Sequence, residues 1–241
     1  MGAFRDQIAV VTGASGGIGK AIALGLAAQG ATLGLVGRNA QALEEVAATA
    51  RAMSPHAVSY RADLTVEEEI ENLKANLDMD FGSVDILVHS AGVIHHGSIE
   101  SASVTDFDTQ YRVNVRASYV VTQALLPLLR MRRGQVVFIN SSMGLSTRAM
   151  VGQYAATKHA LKAVADTLRE EVNGDGVRVL SVYPGRTATP RQAAIHALEG
   201  RPYRSERLMQ PEDVASIVIS ALGLARTAEV TDIRIRPMIK S

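Results

Sequence analysis

Tyr154 and Lys158 stand four residues apart in the stretch YAATK, a spacing that sets both side chains on one face of a helix. A phenol with an ordinary pKa of about 10 is a poor acid or base at neutral pH. A neighbouring ammonium favours the phenolate and draws that pKa toward working range, which suits the pair to proton transfer. The same spacing also arises by chance in many helices, so the pair alone decides nothing. Ser141 lies thirteen positions before Tyr154, directly after the apolar run QVVFIN. A hydroxyl there can hold a carbonyl oxygen that Tyr154 protonates, or it can be a solvated turn serine, with Ser142 beside it as a rival.

A second chemical signal is VVTGASGGIGKAI, Val10 to Ile22. An apolar run, a glycine turn and a helical segment make a phosphate-binding layout, because a helix N-terminus offers free N–H groups and a positive dipole end. The ATP loop requires a glycine five places before its Gly-Lys pair and a hydroxyl directly after. Ala14 and Ala21 occupy those places around Gly19-Lys20, so that reading fails. The G-x-G-x-x-G dinucleotide fingerprint fails as well, since the glycines run Gly13, Gly17, Gly19 with Gly16 alongside.

These groups need a frame. Short β-branched runs at QIAVVT, ATLGLVG, AVSYRA, VDILVHS, GQVVFIN, VRVLSVYP and DIRIRP read as parallel strands buried on both faces. Helical patterns fill the gaps at Gly17–Gln29, Ala40–Met53, Val66–Met79, Phe107–Met131, Tyr154–Asn173 and Pro211–Leu224. Thr65 with Glu68, and Pro211 in QPEDVA, carry helix-start chemistry. The alternation predicts an α/β, Rossmann-like doubly wound parallel sheet of about seven strands with helices on both faces. Residues 1–241 are expected to form one dinucleotide-binding and catalytic domain, and ligands in such sheets sit beyond the carboxyl ends of the strands. Gly185 to Gln210 shows no clear pattern, which predicts a binding loop or lid over about 189–210.

Bulk properties exclude several classes. The 241 residues are 47% hydrophobic, enough for a large core. Lysine and arginine exceed aspartate and glutamate by 25 − 24, or +1, which gives no global attraction to nucleic acid or an anionic membrane. There is no cysteine, hence no thiolate metal site and no cysteine nucleophile, in keeping with a reducing compartment. The start MGAFRDQIAV is no signal peptide, Asp6 stands where myristoylation wants Ser or Thr, and no apolar run reaches spanning length. A cytoplasmic protein is expected. His89 reads as a packed strand-end residue; His95 and His96 read as exposed loop histidines, with the substrate cleft as the alternative place for them, and no spacing resembles a metal site.

With the glycine loop, Ser141 and YAATK in this order, the chain resembles the short-chain dehydrogenase/reductase family in its compact form. TGASGGIG matches the family's T-G-x-x-x-G-x-G cofactor loop, SSMG and YAATK its serine and Y-x-x-x-K elements, and YPGRTAT its P-G-x-x-x-T segment. Asn114 in YRVNV stands where the family has a fourth catalytic residue. One departure is HSAG, His89 to Gly92, in place of N-N-A-G; Ala91-Gly92 keeps the close backbone approach, while Ser90 cannot supply both an amide donor and a carbonyl acceptor.

The resemblance implies hydride transfer between a nicotinamide and a carbonyl carbon. Tyr154 would donate the proton, Ser141 would hold the oxygen, Lys158 would bind ribose hydroxyls and depress the Tyr154 pKa, and Asn114 would position a relay water. It implies cofactor contacts at Gly13, Ser15, Gly17, Ile18, Gly19, Arg38, Asp63, Leu64, Ala91, Gly92, Tyr154, Lys158, Pro184, Gly185, Thr187 and Thr189. It also implies a homotetramer or homodimer, built through the two long helices.

In LVGRN, Gly37 takes the place of the acid that accepts an NAD ribose hydroxyl, and Arg38 follows it; this favours NADP, hence NADPH over NADH. The leading expectation is an NADPH-dependent carbonyl reductase acting on a small-molecule ketone or 3-oxoacyl substrate. An alcohol dehydrogenase running the same site in reverse and a dinucleotide-binding regulator without turnover are the alternatives. The arginines of RMRRG, Arg130 to Arg133, either complement a helix C-terminus or face an acidic carrier protein. In the lid, Arg191, Arg201, Arg204 and Arg207 outnumber Glu199 and Glu206, with Gly200 and Pro202 able to form a bend. Those arginines either close over an anionic substrate, with Arg191 foremost, or pair with nearby acids at the surface.

Overall fold

The computed structural model describes residues 2–54 and 56–239. Seven strands form one sheet: β1 (Ile8–Thr12), β2 (Thr32–Gly37), β3 (Ala57–Arg61), β4 (Ile86–His89), β5 (Gln135–Ile139), β6 (Arg178–Pro184) and β7 (Asp232–Ile235). Their order is β3-β2-β1-β4-β5-β6-β7, with every neighbouring pair parallel. Each strand falls on a run the sequence predicts. Alternate side chains feed two apolar layers, as period-2 geometry requires. Val11, Leu33, Leu35 and Val88 pack on one face with helices α1 (Gly17–Ala28), α2 (Ala40–Arg51) and α8 (Pro211–Leu222). Val10, Val36, Leu87 and Val136 pack on the other with α3 (Glu67–Phe81), α5 (Ala117–Met131) and α6 (Gly152–Val172). The chain leaves β1 toward one face and β4 toward the other, so a crevice opens between their carboxyl ends. Among the described residues, no helix is long and apolar enough to cross a membrane.

Three helical expectations need correction. Instead of one helix over Phe107–Met131, α4 (Val104–Tyr111) begins earlier, where the Ser103 hydroxyl accepts from the Asp106 N–H at 3.3 Å. A π turn over Arg112–Arg116 then separates it from α5, and such turns recur at functional positions. The Thr65–Glu68 capping box does not form: the Thr65 hydroxyl donates to Asp63 at 2.8 Å, and α3 starts after Val66 without a side-chain cap. The supposedly irregular stretch after β6 contains α7 (Pro190–Leu198), started by Thr189, whose hydroxyl accepts from the Gln192 N–H at 3.1 Å, and by Pro190 in the first turn. A one-pair parallel bridge, Thr187 to Met209, closes the base of this excursion. Two of the RMRRG arginines find acids, Arg130 on Asp175 at 2.7 Å and Arg132 on Asp85 at 3.0 Å.

Candidate active site

The glycine loop follows β1 and touches the β4 exit backbone to backbone. Gly13 has φ +66°, and a Cβ there would lie 2.7 Å from the Ala91 nitrogen. A Cβ on Gly19 would lie 2.4 Å from the Gly13 carbonyl oxygen. No side chain fits in either place, which accounts for glycine in the loop. The N-terminus of α1 beyond it carries no side-chain cap and no acid in its first turn, so its free N–H groups face an open cradle suited to a pyrophosphate. Thr12 resolves the HSAG departure. Its hydroxyl donates to the Val88 carbonyl at 3.2 Å and accepts from the Ser90 N–H at 3.1 Å, so the strand end is held without an amide side chain at 90. His89 is packed as expected: 3% exposed, 2.8 Å from the Thr122 hydroxyl through Nε2, and stacked on Phe138.

From this cradle a cleft of about 950 Å³ runs along the carboxyl edge of the sheet, a size ordinary for a ligand site. Of the catalytic and cofactor positions expected from the sequence, all but Gly19 and Asn114 line it. Gly19 lies behind the loop. Asn114, fully buried in the π turn, clamps the far wall: Oδ1 accepts from the Val93 N–H at 2.8 Å, and Nδ2 donates to the Val93 carbonyl at 2.9 Å and the Thr157 hydroxyl at 3.1 Å. Its side chain thus holds the 93 loop in position.

Tyr154 and Lys158 share one face of α6, as the spacing predicts, with Lys158 Nζ 5.8 Å from the Tyr154 ring centre. The ammonium also donates to the Ile139 carbonyl at 3.1 Å, and Asn140 Nδ2 ties the Lys158 carbonyl at 3.1 Å. Ser141 Oγ accepts from the Met143 N–H at 3.1 Å; of the two adjacent serines it is the one that acts on Tyr154. The expected depression of the tyrosine pKa does not occur. Burial raises it, and Ser141 and the Arg191 charge only partly oppose the rise. Burial, then Arg191, brings Lys158 down to about 7, so the ammonium that should favour a phenolate is itself partly neutral.

Arg191 reaches back from α7 to donate to the Gly92 carbonyl at 2.5 Å, and a Cβ on Gly92 would lie 4.0 Å from both Arg191 Nη1 and Lys158 Nζ. It therefore stands at the proton-transfer groups rather than over a distant substrate tail. At the other end, Arg38 is exposed beside the cleft and makes no ion pair among the described residues. Asp63 is held below the usual carboxylate range by the Thr65 N–H, and more weakly by the charges of Arg38 and Arg61. His95 keeps to the exposed reading, with Nδ1 3.7 Å from Asp106. His96 does not: it lines the cleft. Arg148 and Arg186, not singled out from sequence, also reach the cleft.

The family model described as short chain dehydrogenase matches residues 7–199. The chain belongs to the short-chain dehydrogenase/reductase family. An uncharacterised oxidoreductase of Staphylococcus epidermidis is 36% identical over 240 residues, 99% of this chain and 100% of that protein. An uncharacterised oxidoreductase of Staphylococcus aureus is 33% identical over 239 residues, again 99% and 100%. Among solved structures, an alcohol dehydrogenase from Thermococcus sibiricus complexed with 5-hydroxy-NADP superposes with a TM-score of 0.89 at 27% identity, covering 98% of each chain. L-sorbose reductase from Gluconobacter frateurii, complexed with NADPH and L-sorbose, gives 0.86 at 25% identity, covering 98% of this chain and 97% of that one. As a short-chain dehydrogenase/reductase the protein is an NAD(P)-dependent oxidoreductase, and the uncapped α1 terminus with its glycine cradle fits a nicotinamide dinucleotide.

Proposed function

We propose that this short-chain dehydrogenase/reductase is an NADPH-dependent carbonyl reductase, converting a ketone or 3-oxoacyl-type compound to an alcohol. The observation that carries the reading is the convergence of Ser141, Tyr154 and Lys158 on one cleft whose far end is the glycine cradle. The nicotinamide, when bound, supplies the hydride, a step the protein itself cannot provide. Tyr154 protonates the carbonyl oxygen, which Ser141 holds by hydrogen bonding. Burial raises the pKa of the Tyr154 hydroxyl, in keeping with a group that enters the reaction as a proton donor. Lys158 orients ribose hydroxyls and feeds the proton path, and Asn114 keeps the Val93 wall in place. A pure dinucleotide-binding regulator would not need this proton donor.

Arg38 is the cofactor selector in this reading: a guanidinium beside the cleft welcomes a 2′-phosphate that an acid at that place would repel. Residues 1–241 act as one domain, since both apolar layers share a single sheet. Exposed Phe107, Tyr111 and Tyr119 on α4 and α5 support a homotetramer or homodimer through these helices, readable by light scattering. The absence of cysteine fits our placement of the enzyme in the cytoplasm. The deciding experiment is a steady-state assay of a ketone panel with NADPH and with NADH, following loss of reduced nicotinamide. Absence of turnover with every ketone, with alcohols oxidised instead, would overturn the direction proposed.

A further inference from the structure

Three guanidiniums meet on one carboxylate at the end of the cleft remote from the 2′-phosphate selector. Arg148, in the loop before α6, donates to Glu199 Oε1 at 2.8 Å. Arg186, just beyond β6, donates to Oε2 at 2.8 Å, and Arg201 Nη1 stands 3.6 Å from the same oxygen. Glu199 caps the C-terminus of α7 and is only 15% exposed in its side chain. Three positive charges against one negative leave the cluster with a net excess of two, in a protein whose overall charge is +1. A surface pair would be worth little, but this group is not an ordinary surface pair. Arg186 is 18% exposed, and its Nη1 is buried without a hydrogen-bond partner among the described residues. His96 Nε2 is in the same condition, and the charges of Glu199, Arg148 and Arg186 all act on that ring. Buried polar atoms left without partners are uncommon in folded proteins.

His96, Arg148, Arg186 and Arg201 all line the cleft that also holds Ser141 and Tyr154. The strand order places them on a definite side. His96 follows β4, Arg148 follows β5 and Arg186 follows β6, whereas Arg38 and Asp63 follow β2 and β3 at the opposite end. Ser141 follows β5 and Tyr154 lies on α6 between β5 and β6, so the proton-transfer groups share the arginine side of the sheet. A dinucleotide reaching from Arg38 toward Tyr154, with Gly185 and Thr187 beside it, would leave His96, Arg148 and Arg201 to the other reactant.

Resting on the reductase reading, we infer that the carbonyl substrate carries an anionic group, a carboxylate or a phosphate, which Arg148, Arg186 and Arg201 receive beside Glu199. A planar guanidinium pairs with either oxyanion through two parallel N–H donors, and exposed Arg148 and Arg201 present such donors at the cleft. Glu199 then serves as an internal carboxylate that keeps the guanidiniums oriented before substrate arrives, which lowers the ordering required on binding. Arg191, the first candidate from sequence, is engaged at Gly92 and takes no part.

The test uses the full chain saturated with NADPH and three ketones of matched length ending in a methyl, a carboxylate or a phosphate monoester. One anionic ketone should exceed the neutral one in kcat/KM by about tenfold or more, the scale of a charged hydrogen bond, mainly through KM. Which anion leads identifies the group. Arg148→Gln and Arg186→Lys should each bring the anionic-to-neutral ratio toward one; being a ratio, it cancels any general loss of activity. Arg148 is exposed, so its variant tests the idea even if the Arg186 variant fails to fold. A ratio at or below one, or a ratio unmoved in Arg148→Gln, overturns the inference. If no ketone turns over, the reductase reading has failed separately, and calorimetric titration of the carboxylate ketone into the NADPH complex decides this one: binding that weakens in Arg148→Gln supports it, and no binding overturns it.

Discussion

The Lys158 ammonium lies 5.8 Å from the centre of the Tyr154 ring, one helical turn away, yet its charge is held back by burial. Its pKa in the folded, ligand-free protein is about 7, below the ordinary 10.5. Between those two values the unfolded chain binds a proton that the folded one does not, so stability rises with pH across the window from about 7 to about 10.5. Below pH 7 the full penalty of burying the ammonium applies, on the order of a few kcal/mol. Lys158→Met should remove this pH dependence. Urea unfolding of both proteins without cofactor, at pH 6.5 and pH 9, checks it: the variant's advantage should be larger at the lower pH.

Tyr154→Phe removes one hydroxyl from a partly buried ring and leaves the packing intact. Turnover on any accepted ketone is expected to fall by about a hundredfold or more, as for a lost general acid. NADPH affinity, followed by nicotinamide fluorescence, should stay close to that of the parent. Near-normal turnover would remove Tyr154 from the mechanism.

Arg38 makes no ion pair among the described residues and stands at the cleft, so its replacement disturbs little else. Arg38→Ala is expected to lower kcat/KM with NADPH by about tenfold or more, the worth of a charge-assisted hydrogen bond. Efficiency with NADH should hardly move. Equal losses with both cofactors would place Arg38 elsewhere in the mechanism.

His89 is buried between Phe138 and Thr122, and burial lowers its pKa to about 3 from 6.5. The native state therefore resists a proton that the unfolded chain accepts, and stability is lost as pH falls from about 6.5 toward about 3. His89→Gln keeps a polar atom near Thr122 without the titration. The difference between parent and variant in thermal midpoint should shift in the variant's favour from pH 7 to pH 5; a constant difference would show that His89 does not titrate with unfolding.

The seven strands were legible because parallel strands buried on both faces read as plain apolar runs, and the glycine loop because no other residue fits against Ala91. YAATK was legible through helical spacing alone. The π turn at Asn114 was not, since a single re-registered turn leaves the apolar pattern almost unchanged. The start of α7 carried a readable signal in Thr189-Pro190, masked by the polar, arginine-rich run that follows. The meeting of Arg148 and Arg186 with Glu199 had no local signature. These residues are 51 and 13 positions from Glu199, and only the parallel order of β5 and β6 brings them together. The two partners expected for Arg191, an anionic substrate or a nearby acid, were both charged, whereas it donates to the Gly92 carbonyl.

The attachment of α7 has a consequence for how the protein breathes. Only His196 of this helix is buried, while Leu198 is 76% exposed. Its two ends are fixed chiefly by charged groups, Arg191 on Gly92 at one and Glu199 among the arginines at the other. Apolar contact is nearly indifferent to moderate salt, but partly exposed ionic contacts are screened by it. The helix thus belongs to the low-stability end of the molecule, and raised ionic strength is expected to loosen its Glu199 end, where Arg148 and Arg201 are exposed. Amide exchange across 190–198 should quicken as salt is raised, while α5 and α6 keep their protection. The same substitution of solvent conditions would then act as a throttle on entry to the cleft without altering any group inside it.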